Sequence, residues 1–154
     1  MSRDEILRLI AELRQDVVQL TKTVDAIVTR RDARDETTTF AIALLLMNYY
    51  TGSEHAFRRI ATHFGGVPGG DRWHIQLLDD MAIEIPDIRP SVVSEATHDR
   101  LAALLRFRHV VRNLYAWTLR REEVQALVVE IAETNAGLTR ELDAFEAALR
   151  ALAR

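Results

Sequence analysis

Hydrophobic residues recur with the period of an α-helix along most of the chain. In the first segment they are spaced alternately four and three residues apart, which forms a narrow seam along one helix: Ile6, Ile10, Leu13, Val17, Leu20, Val24 and Ile27. Ser2 followed three residues later by Glu5 has the pattern of a capping box. The pattern therefore predicts a long helix that begins at Ser2.

The last segment has a similar rhythm from about Arg121 to the end of the sequence. Its seam consists of Val124, Leu127, Val128, Ile131, Leu138, Leu142, Phe145, Leu149 and Leu152. Two such seams predict an antiparallel pair of terminal helices that pack on one another. A second use stays open, because a seam of this kind also fits another copy or another protein; residues 1–30 are therefore also a candidate oligomerisation helix.

Three shorter elements are predicted between the terminal helices. A helix from Phe40 to Phe64 is nearly apolar all round in its first half, which predicts a central position, and it should stop at the glycine-rich loop 65–70. A short helix is predicted over residues 73–81, an extended connection with two prolines over 83–90, and a helix over 94–117. Tyr49 and Tyr50, at helical spacing from Phe57, are interpreted as core residues.

These elements predict an all-α fold, an up-and-down bundle of about four to five helices with long N- and C-terminal helices. The chain has 154 residues, which is one domain's worth, so residues 1–154 are expected to form a single domain. It has only six glycines and three prolines, which suits long helices and few turns.

Composition excludes several classes of function. The chain has no cysteine, so disulfides, thiolate metal sites and cysteine nucleophiles are ruled out. The charged N-terminus lacks the apolar core of a signal peptide, and the longest apolar run, 40–47, is too short to span a bilayer, so a soluble cytoplasmic protein is expected. His55, His63, His74 and His98 lack metal-ligand spacing and the glycine loop lacks a phosphate-binding lysine, so no metal or cofactor is expected.

Candidate chemistry is concentrated near the end of the predicted helix 94–117. Its polar arc carries no carboxylate and consists of Arg108, His109, Arg112 and Asn113. Arg108 and Arg112 are like charges four residues apart and should repel one another. Although the net charge is −3, this arc predicts a local site for an anion. The alternative is an ion-pair surface that uses acids from elsewhere in the chain, with Glu54 as one possible partner.

The stretch from Leu105 to Tyr115, LRFRHVVRNLY, resembles the signature helix of HepT-like ribonucleases in the HEPN superfamily, whose motif is an arginine, a polar residue that is often asparagine, several residues, and then His-x-Tyr. Arg108 and Tyr115 fall on the motif arginine and tyrosine. A looser resemblance extends over roughly residues 40–118. It runs through residues 48–54 and 57–61, Trp73-His74, and residues 85–90.

The resemblance implies a homodimeric helical bundle that cleaves RNA without a metal, with two motif helices meeting at the dimer interface. It implies that arginines hold the scissile phosphate, for which Arg106, Arg108 and Arg112 are the candidates, and that an imidazole takes the 2′-hydroxyl proton. It further implies that Tyr115 is adenylylated by a partner minimal nucleotidyltransferase (MNT), the antitoxin, which silences the nuclease.

This sequence departs from the family motif at one position. The motif histidine falls on Asn113, which cannot act as a general base, while a histidine, His109, stands where the family often has asparagine. Residues 109 and 113 lie one helical turn apart. The hypothesis is therefore that His109 serves as the base and Asn113 as its hydrogen-bonding partner.

Together these features predict the toxin of a HEPN/MNT toxin–antitoxin pair, a metal-independent endoribonuclease that acts on single-stranded RNA as a homodimer, with Arg108, His109, Arg112 and Asn113 as catalytic candidates. The first alternative is a catalytically inactive HEPN module that binds RNA, a nucleotide or a nucleotidyltransferase partner. The second alternative is a helical oligomerisation protein that uses the terminal seams.

Overall fold

The computed structural model describes residues 1–154 and contains five α-helices and no β-strand. The helices are α1 (Arg3–Arg30), α2 (Glu36–His63), α3 (Trp73–Met81), α4 (Glu95–Arg112) and α5 (Arg121–Leu152), and a 3-10 turn (Ala116–Thr118) lies between the last two. The predicted all-α bundle with long terminal helices is confirmed. None of these helices combines the length and the apolar character that crossing a membrane requires.

The terminal helices pack on one another in opposite directions, as their seams predict. Arg14 of α1 pairs with Glu146 of α5, and further along α1 Thr21 accepts a hydrogen bond from Asn135 of α5. Position therefore rises along α1 as it falls along α5, which is the antiparallel arrangement. The seam of α1 is buried in the core of its own chain apart from Val17, which is partly buried. The use of residues 1–30 in oligomerisation stays a prediction.

Helix α2 lies at the centre of the bundle and contacts each of the other four helices. Tyr49, Tyr50 and Phe57 are fully buried, so their interpretation as core residues is confirmed. The helix begins before the predicted Phe40 because the side chain of Asp35 accepts a hydrogen bond from the amide of Thr38 and caps it. It ends at His63, after which Gly65 and Gly66 adopt positive φ angles of 109° and 91° that glycine tolerates best.

Helix α3 has the predicted bounds, and a buried arginine holds its end in place. Arg89 donates hydrogen bonds to the backbone carbonyls of Asp80, Ile83 and Pro90, at 2.8, 3.1 and 3.0 Å. Burial lowers the pKa of Arg89, and the charge of Asp80 opposes that shift. The segment 83–90 is therefore not the extended connection that its prolines predict but a tight turn around this guanidinium, closed by a bridge between residues 85 and 89.

The prediction that α4 continues to Trp117 is wrong. The helix ends at Arg112, and Asn113 is its C-cap. The side-chain amide of Asn113 donates to the carbonyl of His109 at 2.8 Å and takes the place of the next helical backbone bond, while the Asn113 amide bonds Val110 instead. Asparagine commonly competes with helical backbone bonding in this way. Residues 113–115 therefore lie beyond the helix.

Candidate functional site

Arg108 lies inside the bundle. The sequence predicts instead that it belongs to a polar arc without carboxylates that is open to an anion. Arg108 is 2% exposed, and its Nη2 donates to Glu54 Oε2 at 3.1 Å. Its Nη1 donates to the hydroxyl of Thr51 at 3.1 Å, and its guanidinium lies 4.7 Å from the centre of the Tyr50 ring. The expectation of a free Arg108 is therefore wrong, and the alternative of pairing with Glu54 is correct for this residue.

Glu54 joins Arg108 to an imidazole on the neighbouring helix. Its Oε2 lies 2.7 Å from Nδ1 of His74, which belongs to the first turn of α3. Glu54 is 5% exposed, whereas the His74 side chain is 32% exposed. The three side chains therefore connect the interior between α2 and α4 with the protein surface; we call them the Arg108–Glu54–His74 cluster.

The sequence brings these charges together because each lies on the buried stripe of its helix. Arg108 follows Leu101 and Leu104 at helical spacing, and those leucines are buried. Glu54 lies between the buried aromatic residues Tyr50 and Phe57 of α2. Two opposite charges on facing buried stripes are forced to pair, because an unpaired charge in that position would be costly.

The side chain of His74 lines a groove between α3 and α4. The groove has a volume of about 610 Å³ and its polar lining consists of Asp71, Arg72, His74, Arg106 and His109, with Ile75, Ala102, Leu105 and Val110 as its apolar lining. Arg72, Arg106 and His109 are exposed and form no ion pair with a carboxylate of the chain. Two imidazoles and two unpaired guanidinium groups thus line the groove together with one carboxylate, that of Asp71, so its cationic groups outnumber its acid and a phosphodiester could enter.

The other predicted site residues lie elsewhere. Arg112 is exposed, forms no ion pair, and does not line this groove. Asn113 is exposed and bonds the backbone of His109 rather than its imidazole, so the predicted hydrogen bond between those two side chains is absent. No group of three histidine, aspartate or glutamate side chains is arranged to hold a metal ion.

A second surface feature follows the end of α4. An apolar groove of about 180 Å³ lies between α2 and the segment 111–119, lined by Phe40, Ala43, Leu44, Met47, Val111, Leu114, Tyr115, Ala116 and Leu119. Beside it, Tyr115 and Trp117 are 70% and 72% exposed and stack on each other, with ring centres 4.8 Å apart. We call this surface the apolar patch.

His74 is the site residue that sequence reasoning misses. In the sequence it is noted only as one of four histidines without metal-ligand spacing and as part of the looser family resemblance. The signal that could have found it is the buried position of Glu54, since a carboxylate on a core stripe requires more than one donor to satisfy its oxygens.

A family model described as HepT-like protein matches residues 41–149, which include every residue of the cluster and of the α4 motif. Comparisons with the curated proteins and with the solved structures found no match.

Proposed function

Since the chain belongs to the HepT-like family of the HEPN superfamily, a family of toxin and ribonuclease modules, we propose that it is a metal-independent endoribonuclease that acts on single-stranded RNA. The observation that carries this proposal is the groove between α3 and α4. It presents Arg72 and Arg106 for phosphate and His74 and His109 for proton transfer. Arg112 extends the positive surface at the end of α4. We also propose that the protein acts in the cytoplasm.

The proposal includes a homodimer that forms through the apolar patch. Leu44, Leu114, Tyr115 and Trp117 are each at least 40% exposed, which is a large apolar surface to leave in water. Two patches that meet would bring the ends of two α4 helices together, as the HepT-like resemblance implies. The groove between α3 and α4 of each protomer would then lie on the same side of the dimer as the joined helix ends.

A second candidate function is a catalytically inactive HEPN module that binds RNA, a nucleotide or a nucleotidyltransferase partner. Two observations favour it. Asn113 occupies the position of the motif histidine and serves as a helix cap, and Arg108 is held by Glu54 and does not reach the surface. Neither residue could then perform the role that the motif gives it.

Cleavage of a labelled single-stranded RNA in EDTA tests the proposal. We expect wild-type protein to cleave it, and Arg106→Ala to weaken RNA binding by about threefold to tenfold at every RNA sequence, as the loss of one phosphate contact should. The slope of log affinity against log salt should also fall, by about 0.7, for one contact to a single strand. Fluorescence anisotropy at several salt concentrations measures both effects.

The matched control is Arg8→Ala, because Arg8 is an exposed arginine on α1 that forms no ion pair. If Arg106→Ala binds RNA as Arg8→Ala does, the groove is not the RNA site. If wild-type protein binds RNA through Arg106 but leaves it intact, the inactive binding module is the correct function.

The toxin–antitoxin part of the proposal concerns Tyr115. Its side chain is 70% exposed, so an MNT partner could reach the hydroxyl and transfer AMP to it. Co-expression with a cognate MNT should therefore add the mass of one AMP to the wild-type protein and none to Tyr115→Phe. Intact-mass spectrometry reads the result, and an equal gain of mass by both proteins would place the modification elsewhere.

A further inference from the structure

We propose that His74 is a catalytic residue of RNA cleavage, the general base that takes the 2′-hydroxyl proton, and that Glu54 and Arg108 are its positioning residues. The inference rests on the proposed ribonuclease function and names the group that stands in for the missing motif histidine. It starts from the 2.7 Å contact between His74 Nδ1 and a carboxylate that is 5% exposed.

The contacts of Glu54 determine which nitrogen of His74 is free. Arg108 donates to Glu54 Oε2 at 3.1 Å, so the carboxylate acts as an acceptor at this atom. His74 Nδ1 lies 2.7 Å from the same oxygen and 3.1 Å from Nη2 of Arg108. An ionised carboxylate can only accept, so the shorter contact places the proton of a neutral imidazole on Nδ1, and Nη2 of Arg108 directs its hydrogen to Glu54. Nε2 of His74 is left with a lone pair and makes no hydrogen bond in the chain. A partly exposed, oriented acceptor nitrogen is what a general base requires.

No other histidine of the chain combines these properties. His98 uses both ring nitrogens, on Asp79 at 2.7 Å and on Asp99 at 3.0 Å. His55 and His63 are exposed and lie outside the groove. His109 lines the groove, but its ring has no hydrogen-bond partner to orient it. His74 is therefore the only imidazole with a buried carboxylate behind it and open space in front of it.

The reaction that this arrangement supports is an internal transfer within RNA. Nε2 of His74 takes the proton of a 2′-hydroxyl, the 2′-oxygen forms a bond to the adjacent phosphorus, and the bond from phosphorus to the 5′-oxygen breaks. The leaving 5′-oxygen takes a proton from the imidazolium form of His109. The products are a 2′,3′-cyclic phosphate and a 5′-hydroxyl, and no further reactant is consumed.

His109 is therefore the general acid of this reaction, whereas the sequence predicts that it is the general base. Arg72 and Arg106 line the same groove and can hold the phosphate whose negative charge grows in the transition state. Arg108 acts through Glu54 and does not touch the substrate, since it is 2% exposed.

The first test measures single-turnover cleavage of a labelled RNA and binding of the same RNA with a 2′-deoxy residue at the cleavage site. We expect His74→Ala to slow cleavage by about 100-fold or more, the usual contribution of a general base, with less than a threefold change in affinity. His63→Ala, which replaces an exposed histidine at the end of α2, is the control and should cleave like wild type. His74→Gln keeps the side-chain volume and should show the same loss if the alanine variant folds poorly.

The second test reads the positioning role of Glu54. Nitrogen-15 NMR of wild-type protein should show His74 in the tautomer protonated at Nδ1, and Glu54→Gln should shift the ring towards the other tautomer. The His74 signals of wild-type protein should also move when the uncleavable 2′-deoxy RNA is added. Glu54→Gln should slow cleavage by about tenfold.

The outcomes separate this inference from the proposed function. Cleavage by wild type that persists in both His74 variants overturns the base role alone. Absence of cleavage by wild type, with His74 signals that do not respond to the 2′-deoxy RNA, overturns the ribonuclease function and the base role together. Responsive signals without cleavage also overturn both, and they leave His74 as a residue of an RNA-binding module.

Discussion

Replacing Arg108 with alanine should lower the free energy of unfolding by about 3–5 kcal/mol, the usual effect of removing one member of a buried ion pair. The variant leaves Glu54 in the interior without the guanidinium that neutralises it. It also removes the hydrogen bond to Thr51 and the contact with the Tyr50 ring. Urea unfolding followed by circular dichroism measures the loss.

Two variants sharpen the Arg108 experiment. Arg112→Ala removes an exposed arginine of the same helix that forms no ion pair and should change stability by less than about 0.5 kcal/mol. Replacing Glu54 with leucine and Arg108 with methionine together should restore much of the lost stability, since a well-packed apolar pair often substitutes for a buried ion pair. If Arg108→Ala is as mild as Arg112→Ala, the buried pair of Arg108 and Glu54 does not stabilise the fold as expected.

Replacing Arg89 with alanine should lower the free energy of unfolding by about 2–4 kcal/mol, because hydrogen bonds from a charged donor are strong and their carbonyl partners would lose them together. Arg89→Lys should recover only part of the loss, since an ammonium group lacks the planar fork that spans three carbonyls. The turn 83–90 anchors the C-terminal end of α3 through the carbonyl of Asp80, so the loss should be greatest at that end of the helix.

Urea unfolding again measures the effect of the Arg89 substitutions. The control is Arg100→Ala. The Arg100 side chain is about one-third exposed and lies 4.0 Å from Glu133 in a weak surface pair, which should contribute less than about 1 kcal/mol. An Arg89→Ala protein as stable as this control would mean that water replaces the guanidinium without cost.

Most of the fold could be predicted because helix formation here follows local pattern. The capping box at Ser2, the glycines after His63 and the apolar period of α3 each determine a boundary through neighbouring residues. The end of α4 could not be predicted from its apolar rhythm, because Val110, Val111 and Leu114 continue that rhythm beyond the helix. The deciding interaction is one side-chain bond from Asn113 to its own turn.

The candidate site was harder to predict, because it depends on which way Arg108 points. Arg108 and His109 are adjacent on α4, yet Arg108 is buried and His109 is exposed. The helical pattern alone does not show which of the two side chains points into the core. That choice is made by Glu54, which lies 54 residues earlier in the chain, and pairing at such a separation is invisible to local pattern. His74 contacts the same carboxylate from a third helix, so the local sequence pattern does not identify it as a site residue either.

The two tryptophans of the chain lie beside the two surface features described above, Trp73 next to His74 of the groove and Trp117 next to Tyr115 of the apolar patch. Trp73 packs against the His74 imidazole, with ring centres 3.7 Å apart, and under the guanidinium of Arg58. Trp117 stacks on Tyr115 in the open. Their intrinsic fluorescence therefore contains two separable signals: with Trp117 changed to phenylalanine, emission reports on what enters the space beside α3, and with Trp73 changed, it reports on what covers the end of α4.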